Sequence, residues 1–199
     1  GYYMADKMGF YTEAGIDLEI KDGGPGLIAL QEVYENTTDF ASGWLVMGLR
    51  LRAEGQPLKL IGQFFQKNAL LLIAKKESGI SSVDDLSGKT VGVWPGDFQI
   101  PPRALIRMKR IRDVQIVDQQ FSMDQFLNGE IEVASAMRYN EYHQILESGV
   151  AADQLVVFSY SELEMNLPED GVYVTEEFAA QNPEVCKAFI EATVKGWEY

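Results

Sequence analysis

Along the chain the spacing of apolar positions switches repeatedly between the three-to-four step of helices and the alternation of strands. Residues 2–14 place Tyr3, Met4, Met8, Phe10 and Tyr11 at helical spacing, which predicts one helix stopped by Gly15. Ile16, Leu18 and Ile20 then alternate with Asp17, Glu19 and Lys21, the pattern of a half-buried strand, and Gly23-Gly24-Pro25-Gly26 breaks it. Further helices are predicted at 27–34, 45–54, 103–110, 123–128, 140–147 and from 183 onward, and Ser82 can cap a helical turn over 82–86. Strands are predicted at 39–43, 58–65, 69–74, 89–94, 114–117, 132–137, 155–158 and 171–175. Alternation of this kind predicts an α/β fold with doubly wound sheets, whose crossovers make parallel strands the expectation.

No repeat or low-complexity stretch interrupts the pattern, and only 75–82 and 161–171 read as linkers. These two segments bracket a lobe inserted between the halves of another. Ligands of open α/β sheets bind beyond the carboxyl ends of the strands, so two such lobes facing each other would enclose a solute in a cleft.

Composition narrows the function. With 199 residues and 46% hydrophobic content the chain can bury a sizeable core. Its 30 acidic against 17 basic residues give a net charge of -13, a field that repels phosphate backbones, so no nucleic-acid partner is expected. Cys186 is the single cysteine and His143 the single histidine. An internal disulfide, a cysteine-built metal site and a histidine-rich cluster are thereby excluded, and neither a metal nor a cofactor is expected. Cys186 reads as a core-facing helix position. No apolar run approaches the roughly 20 residues of a membrane-spanning helix, and no signal peptide is evident. The chain opens inside a helix entry and stops without a terminating signal, which reads as truncation at both ends.

Several segments carry a resemblance. GYYMADKMGFYTEAGIDLEI, the GG of KDGGPG, TDFASG, LRAEGQPLKLIGQF, SGISSVDDLSGKTVGV, FLNGEIEVASAM with YNEY after it, and VTEEFAAQNPEVCKAFIEATVKGWEY together span nearly the whole chain. They resemble the solute-binding proteins of ABC importers for nitrate, sulfonate, taurine and thiamine-precursor pyrimidines, most closely the thiamine-pyrimidine branch. The resemblance implies a two-lobed periplasmic binding protein clamshell of type II, with residues 1–76 and 172–199 in one lobe and 77–171 in the other. It also implies a first strand ahead of GYY, so the pocket legible here is incomplete.

Candidate pocket residues follow from both readings. Tyr2 and Tyr3 offer a ring to stack and a hydroxyl to hydrogen-bond, core packing being the alternative. Gly24, ahead of a helix, lets backbone N–H groups meet an anionic or carbonyl group, against the alternative of a plain loop. Ser42 and Trp44 end a buried strand at its carboxyl side, and Phe65 ends another. Trp94, Gly96 and Asp97 combine a ring, a glycine and a carboxylate at a strand-to-helix turn that faces the cleft in the family, the alternative being a surface Pro-Gly turn. Arg138, Tyr139, Asn140 and Glu141 form the sharpest group. Asn140 can cap the next helix, and the branch that binds aminopyrimidines is similar in its Asn-Glu-Tyr run. Glu141 can accept two hydrogen bonds from a protonated ring nitrogen and an exocyclic amine, or simply complement the helix dipole. Arg103, Arg107, Lys109, Arg110 and Arg112 make the only basic cluster, read as a solvated face or a partner contact.

The function expected is a non-enzymatic solute-binding component of an ABC import system, periplasmic or extracellular, lipid-anchored or membrane-tethered. It would capture a small planar nitrogen-containing ligand such as a thiamine-precursor pyrimidine and pass it to a membrane permease. Two alternatives stand beside it: an extracellular sensor domain fused to a receptor kinase or cyclase, and a sulfonate, nitrate or taurine binder that uses Arg138. A fungal branch of the superfamily makes the thiamine pyrimidine, but it relies on a cysteine-rich motif and a histidine donor, where this chain has only Cys186 and His143.

Overall fold

A computed structural model describes residues 1–24 and 26–199, and it divides the chain into two compact units, Gly1–Gln66 with Pro168–Tyr199 and Lys67–Leu167. In the first unit, α1 (Tyr2–Lys7) and α2 (Phe10–Glu13) stand where one helix was expected. Gly9 parts them at φ 77°, a conformation glycine adopts at no steric cost. Residues 16–21 join no strand ladder among the described residues, although Ile16, Leu18 and Ile20 are half-buried and Asp17, Glu19 and Lys21 exposed. Ile16 and Leu18 pack against a cluster built on Ala5, Tyr11, Val172, Phe189 and Ala192. The alternation is that of an extended backbone with one face on the core, and it pairs with no strand among the described residues. Pro25, in the expected break, lies outside the described residues. Beyond it come α3 (Ala29–Tyr34), β1 (Ala41–Gly43), α4 (Leu45–Ala53) and β2 (Leu58–Gln63).

The second unit holds β3 (Leu70–Lys75), β4 (Thr90–Val93), α5 (Ile100–Met108), β5 (Gln115–Asp118), α6 (Asp124–Leu127), β6 (Val133–Met137), α7 (Glu141–Glu147) and β7 (Leu155–Ser159). Its sheet runs β5-β4-β6-β3-β7. β4 is parallel to β5 and β6, whereas β3 is antiparallel to both β6 and β7, so the expected all-parallel sheet is mixed. β3 is the strand by which the chain enters the unit, and no crossover within the unit sets its direction. Its residues Leu70–Ala74 are almost wholly buried, as a central strand covered on both faces requires. That pairing also moves the boundary from 76 to Gln66, and the return falls at Leu167 rather than 171. Ahead of β4, Asp85 accepts hydrogen bonds from the backbone N–H groups of Ser81 and Ser82 (2.9 and 2.8 Å), closing a capping box over the short helical turn Val83–Leu86.

The chain then returns with β8 (Gly171–Thr175), α8 (Glu176–Gln181) and α9 (Pro183–Glu198). β8 is the middle of the sheet β1-β8-β2, antiparallel to both neighbours. β1 and β2, joined through α4, do run the same way; the late strand is inserted between them. α9 packs on α1 at a distance that small residues permit, since a β-carbon at Gly196 would stand 2.5 Å from the Gly1 carbonyl oxygen. α2 packs on α9 as well, where the Tyr11 hydroxyl meets Thr193 Oγ1 at 2.7 Å and Thr193 in turn donates to the Phe189 carbonyl. Cys186 is buried on α9 as expected.

Candidate ligand-binding site

Register places Gly43 and Gln63 on either side of Gly171, so the carboxyl ends of β1 and β2 meet the start of β8 at one edge of the first unit's sheet. Ser42 is exposed there, and the buried Trp44 leads into α4. Gln63 donates from Nε2 to the carbonyls of Phe65 (3.1 Å) and Glu169 (2.5 Å), holding the two chain segments beyond the edge together. Tyr2 reaches the same place from α1. Its ring lies 6.1 Å from Phe64, 6.5 Å from Phe189 and 6.4 Å from Trp197, while Phe65 meets Trp197 edge-on at 5.2 Å. The Tyr2 hydroxyl is buried and has no hydrogen-bond partner among the described residues. Burial pushes its ionisation well above the usual tyrosine range, and the charge of nearby Asp170 adds to this. Asp170, half-buried with φ 49°, has its own carboxyl raised by burial.

Tyr3 and Gly24 stand apart from this group. Tyr3 is exposed and its hydroxyl donates to Asp22, on the extended segment after α2. Gly24 is exposed, its carbonyl accepts from Leu27, and α3 begins only at Ala29, so Gly24 delivers no helix N-terminus.

The second unit's sheet has a comparable edge, where β4, β5, β6 and β7 end and β3 begins. Trp94 is buried at the end of β4, stacked on Phe121 (6.1 Å, 20°) and edge-on to Phe98 (6.1 Å). Its indole N–H is buried without a hydrogen-bond partner among the described residues. Gly96, at φ 72°, and the half-buried Asp97 begin the turn into α5. Arg138, Tyr139 and Asn140 are exposed beyond β6, and Glu141 is 4% exposed. Glu141 Oε2 accepts the Met137 N–H at 2.8 Å, and Oε1 accepts Asn140 Nδ2 at 2.8 Å. Asn140 does not cap α7 with its side chain, contrary to expectation; it is held between Glu141 and Gln144 Nε2, 3.0 Å away. Glu141 thus fixes the turn that presents Arg138 and Tyr139.

Gln119 supports this edge from beneath. The ladder between β4 and β6 registers at Val91 and Val133. Further along, Gln119 bonds both the N–H and the carbonyl of Ser135 at 2.8 Å, and Ser135 Oγ donates to the Gly92 carbonyl at 2.9 Å. The amide thereby continues the sheet where the backbones part. Two surface recesses, of about 450 and 370 Å³, open at the opposite edges of the two sheets, one around Arg52, Leu58 and Glu176, the other around Lys75, Val150 and Asp153. Both lack aromatic side chains, whereas the edges described above carry rings and unpartnered buried donors. No group of three or more His, Cys, Asp or Glu among the described residues could hold a metal.

A family model described as NMT1/THI5 like matches residues 1–199. The chain belongs to this family. Among curated relatives, the riboflavin-binding protein RibY of Chloroflexus aurantiacus is 27% identical over 205 residues, covering 98% of this chain and 56% of the relative. The 4-amino-5-hydroxymethyl-2-methylpyrimidine phosphate synthase of Legionella pneumophila is 25% identical over 217 residues, covering 98% of this chain and 63% of the relative. The chain therefore spans less than two thirds of the length of either. Among solved structures, the putative sulfonate-binding protein SsuA of Methylobacillus flagellatus aligns with a TM-score of 0.72 at 19% identity, over 94% of this chain and 58% of that one. The aliphatic sulphonate-binding SsuA of Escherichia coli aligns with a TM-score of 0.69 at 17% identity, over 84% and 57%. At such identity the likeness is one of fold: this NMT1/THI5-like chain has the α/β fold of type II periplasmic solute-binding proteins.

Sequence reasoning did not single out Asp170, Trp197 or Phe121 as candidates. Trp197 was legible as the third member of the α9 face that begins with Phe189 and Thr193, and Asp170 as the acid ahead of an apolar strand in PEDG. Phe121 carried no signal, because only the fold of the segment after β5 brings it to Trp94.

Proposed function

We propose that this chain is the ligand-capturing part of an ABC-type solute-binding protein, and that its ligand is a small planar nitrogen heteroaromatic of the pyrimidine or flavin kind. The observation that carries the reading is the ring cluster of Tyr2, Phe65 and Trp197 with Asp170 beside the unpartnered Tyr2 hydroxyl. Flat rings recognise flat rings by stacking, and a half-buried carboxylate prefers a ligand that brings an N–H donor. The names of the two curated relatives, one riboflavin-binding and one a pyrimidine phosphate synthase, lend the same support, since both molecules are planar nitrogen heterocycles. The exposed Ser42, at the same edge of the first unit, is proposed as a further contact; Trp94, Asp97 and Tyr139 are proposed as ligand contacts at the second unit's own edge. We read the chain as a carrier rather than an enzyme: its one thiol is buried and its one imidazole is exposed on α7, away from either ring cluster in sequence. Periplasmic or extracellular residence and delivery to a membrane permease belong to the same proposal.

A second reading, sulfonate binding, rests on Arg138, whose guanidinium is exposed at the end of β6 with no ion pair among the described residues. Thermal unfolding with riboflavin, hydroxymethylpyrimidine, formylaminopyrimidine and a set of alkanesulfonates separates the two. A ligand at 100 times its Kd stabilises by about 2.7 kcal/mol, a rise in Tm of roughly 5–10 °C for a chain of this size. A rise with the heterocycles alone supports the leading reading, one with sulfonates alone moves the site to Arg138, and flat curves with all of them reject both.

A further inference from the structure

The basic cluster has no part in the site above. Residues 103–112 hold five of the chain's 17 basic residues and none of its 30 acidic ones. Arg103 and Arg107 stand one helical repeat apart on α5, and the exposed Arg110 follows just beyond its end. The other face of α5 is buried through Pro101, Pro102 and Leu105, so the arginines point to solvent, with the exposed Met108 among them. Arg103 is braced by Gln99, at 2.9 and 2.7 Å, and Lys109 is 3.9 Å from Glu164. Arg107, Arg110 and Arg112 have no ion pair among the described residues.

Arg110 also occupies an unusual backbone position. The Ile111 N–H donates to the Ile106 carbonyl (3.0 Å) and the Arg110 N–H to the Arg107 carbonyl (3.2 Å), which closes α5 in a Schellman motif. The residue at the left-handed position of that motif is most often glycine; here it is Arg110, at φ 56°. Conformation alone favours glycine at this position, so Arg110→Gly relieves backbone strain as it removes a guanidinium.

From these observations we infer that the arginine face of α5 is a docking surface for an acidic, extended segment of a partner protein. Four of the five cations are arginines, whose planar forks match carboxylates two bonds at a time. The footprint is narrow. Asp113 follows at once, Glu164 sits beside Lys109, and Asp118 lies 3.4 Å from Gln99, so acids flank the patch. An extended acidic segment can follow the arginines between those acids, whereas a flat anionic bilayer faces the whole patch, acids included, and is the more strongly repelled.

The test is fluorescence anisotropy of a labelled oligoglutamate peptide with the full chain, at low and at physiological salt. The wild type binds, and binding weakens as salt rises. Arg103→Glu with Arg107→Glu lowers affinity about tenfold or more. Arg110→Gly raises Tm while weakening peptide binding, a pair of opposite effects that a merely structural arginine would not give. An unbound peptide, unchanged affinity in the reversed variant, or tighter binding to phosphatidylglycerol vesicles than to the peptide each overturns the inference. None of these readouts depends on which small molecule the chain captures.

Discussion

Two carboxylates, one at the candidate edge of each unit, behave in opposite ways, and the difference lies in what each already touches. Glu141 is almost fully buried, yet both its oxygens accept hydrogen bonds from its own chain. Glu141→Ala strands the buried Met137 N–H and should cost about 1–3 kcal/mol in urea unfolding, while Glu141→Gln keeps an acceptor and should cost less. Asp170 is half-buried with no ion pair among the described residues, and burial raises its carboxyl. The folded chain then holds that proton to a higher pH than the unfolded chain does, so stability falls as pH rises above the ordinary value of 3.8. Asp170→Asn removes the buried charge. The variant should melt higher than wild type at neutral pH, lose that advantage in acid below about 3.8, and bind heteroaromatic ligand more weakly, which calorimetry at two pH values would measure. A variant less stable at neutral pH would show that the carboxylate is held by its surroundings rather than spent on a ligand. Glu141 was legible from its place after an apolar strand; that its oxygens are engaged was not, because the N–H of Met137 becomes a partner only once β6 ends in a turn.

Elements were more legible than their pairings. Period and turn residues locate β2 through β8 within a residue or two, since short apolar runs between Gly, Pro and Asn leave little choice. They say nothing of which strand lies beside which, and here β8 separates β1 from β2 and β3 runs against its neighbours. The same limit applies to residues 16–21, where alternation is present without a partner strand among the described residues. Side-chain continuation of a sheet is likewise invisible to pattern. Gln119→Leu leaves two backbone groups of Ser135 without partners and should cost about 2–4 kcal/mol, with faster hydrogen exchange at the Ser135 amide. Gly48, buried in α4, faces Tyr173: an added β-carbon would stand 2.5 Å from the ring. Gly48→Ala should therefore destabilise by about 1–3 kcal/mol through overpacking, read as a lowered urea midpoint. At the turn before β4, four hydrogen bonds from Ser81 and Ser82 hold the Asp85 carboxyl down at about 2. Its contribution is present above the ordinary value of 3.8 and is lost as pH falls toward about 2, so Asp85→Asn should flatten the acid limb of unfolding.

At the scale of the molecule the two units differ in how their chain is supplied. Residues 67–167 contain every strand of the five-stranded sheet, whereas the three-stranded sheet takes its middle strand, and α9 with it, from beyond residue 167. The excised segment 67–167 should fold alone, with Trp94 emission shifted to the blue by its burial, while residues 1–66 alone should stay unfolded by circular dichroism. During synthesis a chain leaves the ribosome in sequence order, so residues 1–66 emerge before 67–167 and yet must wait. The segment made second is the first able to close, and the opening helices acquire their core only when β8 and α9 arrive. Until then Tyr11, Leu30 and Leu58, all buried in the finished protein, are bare to whatever chaperone or neighbouring chain is at hand.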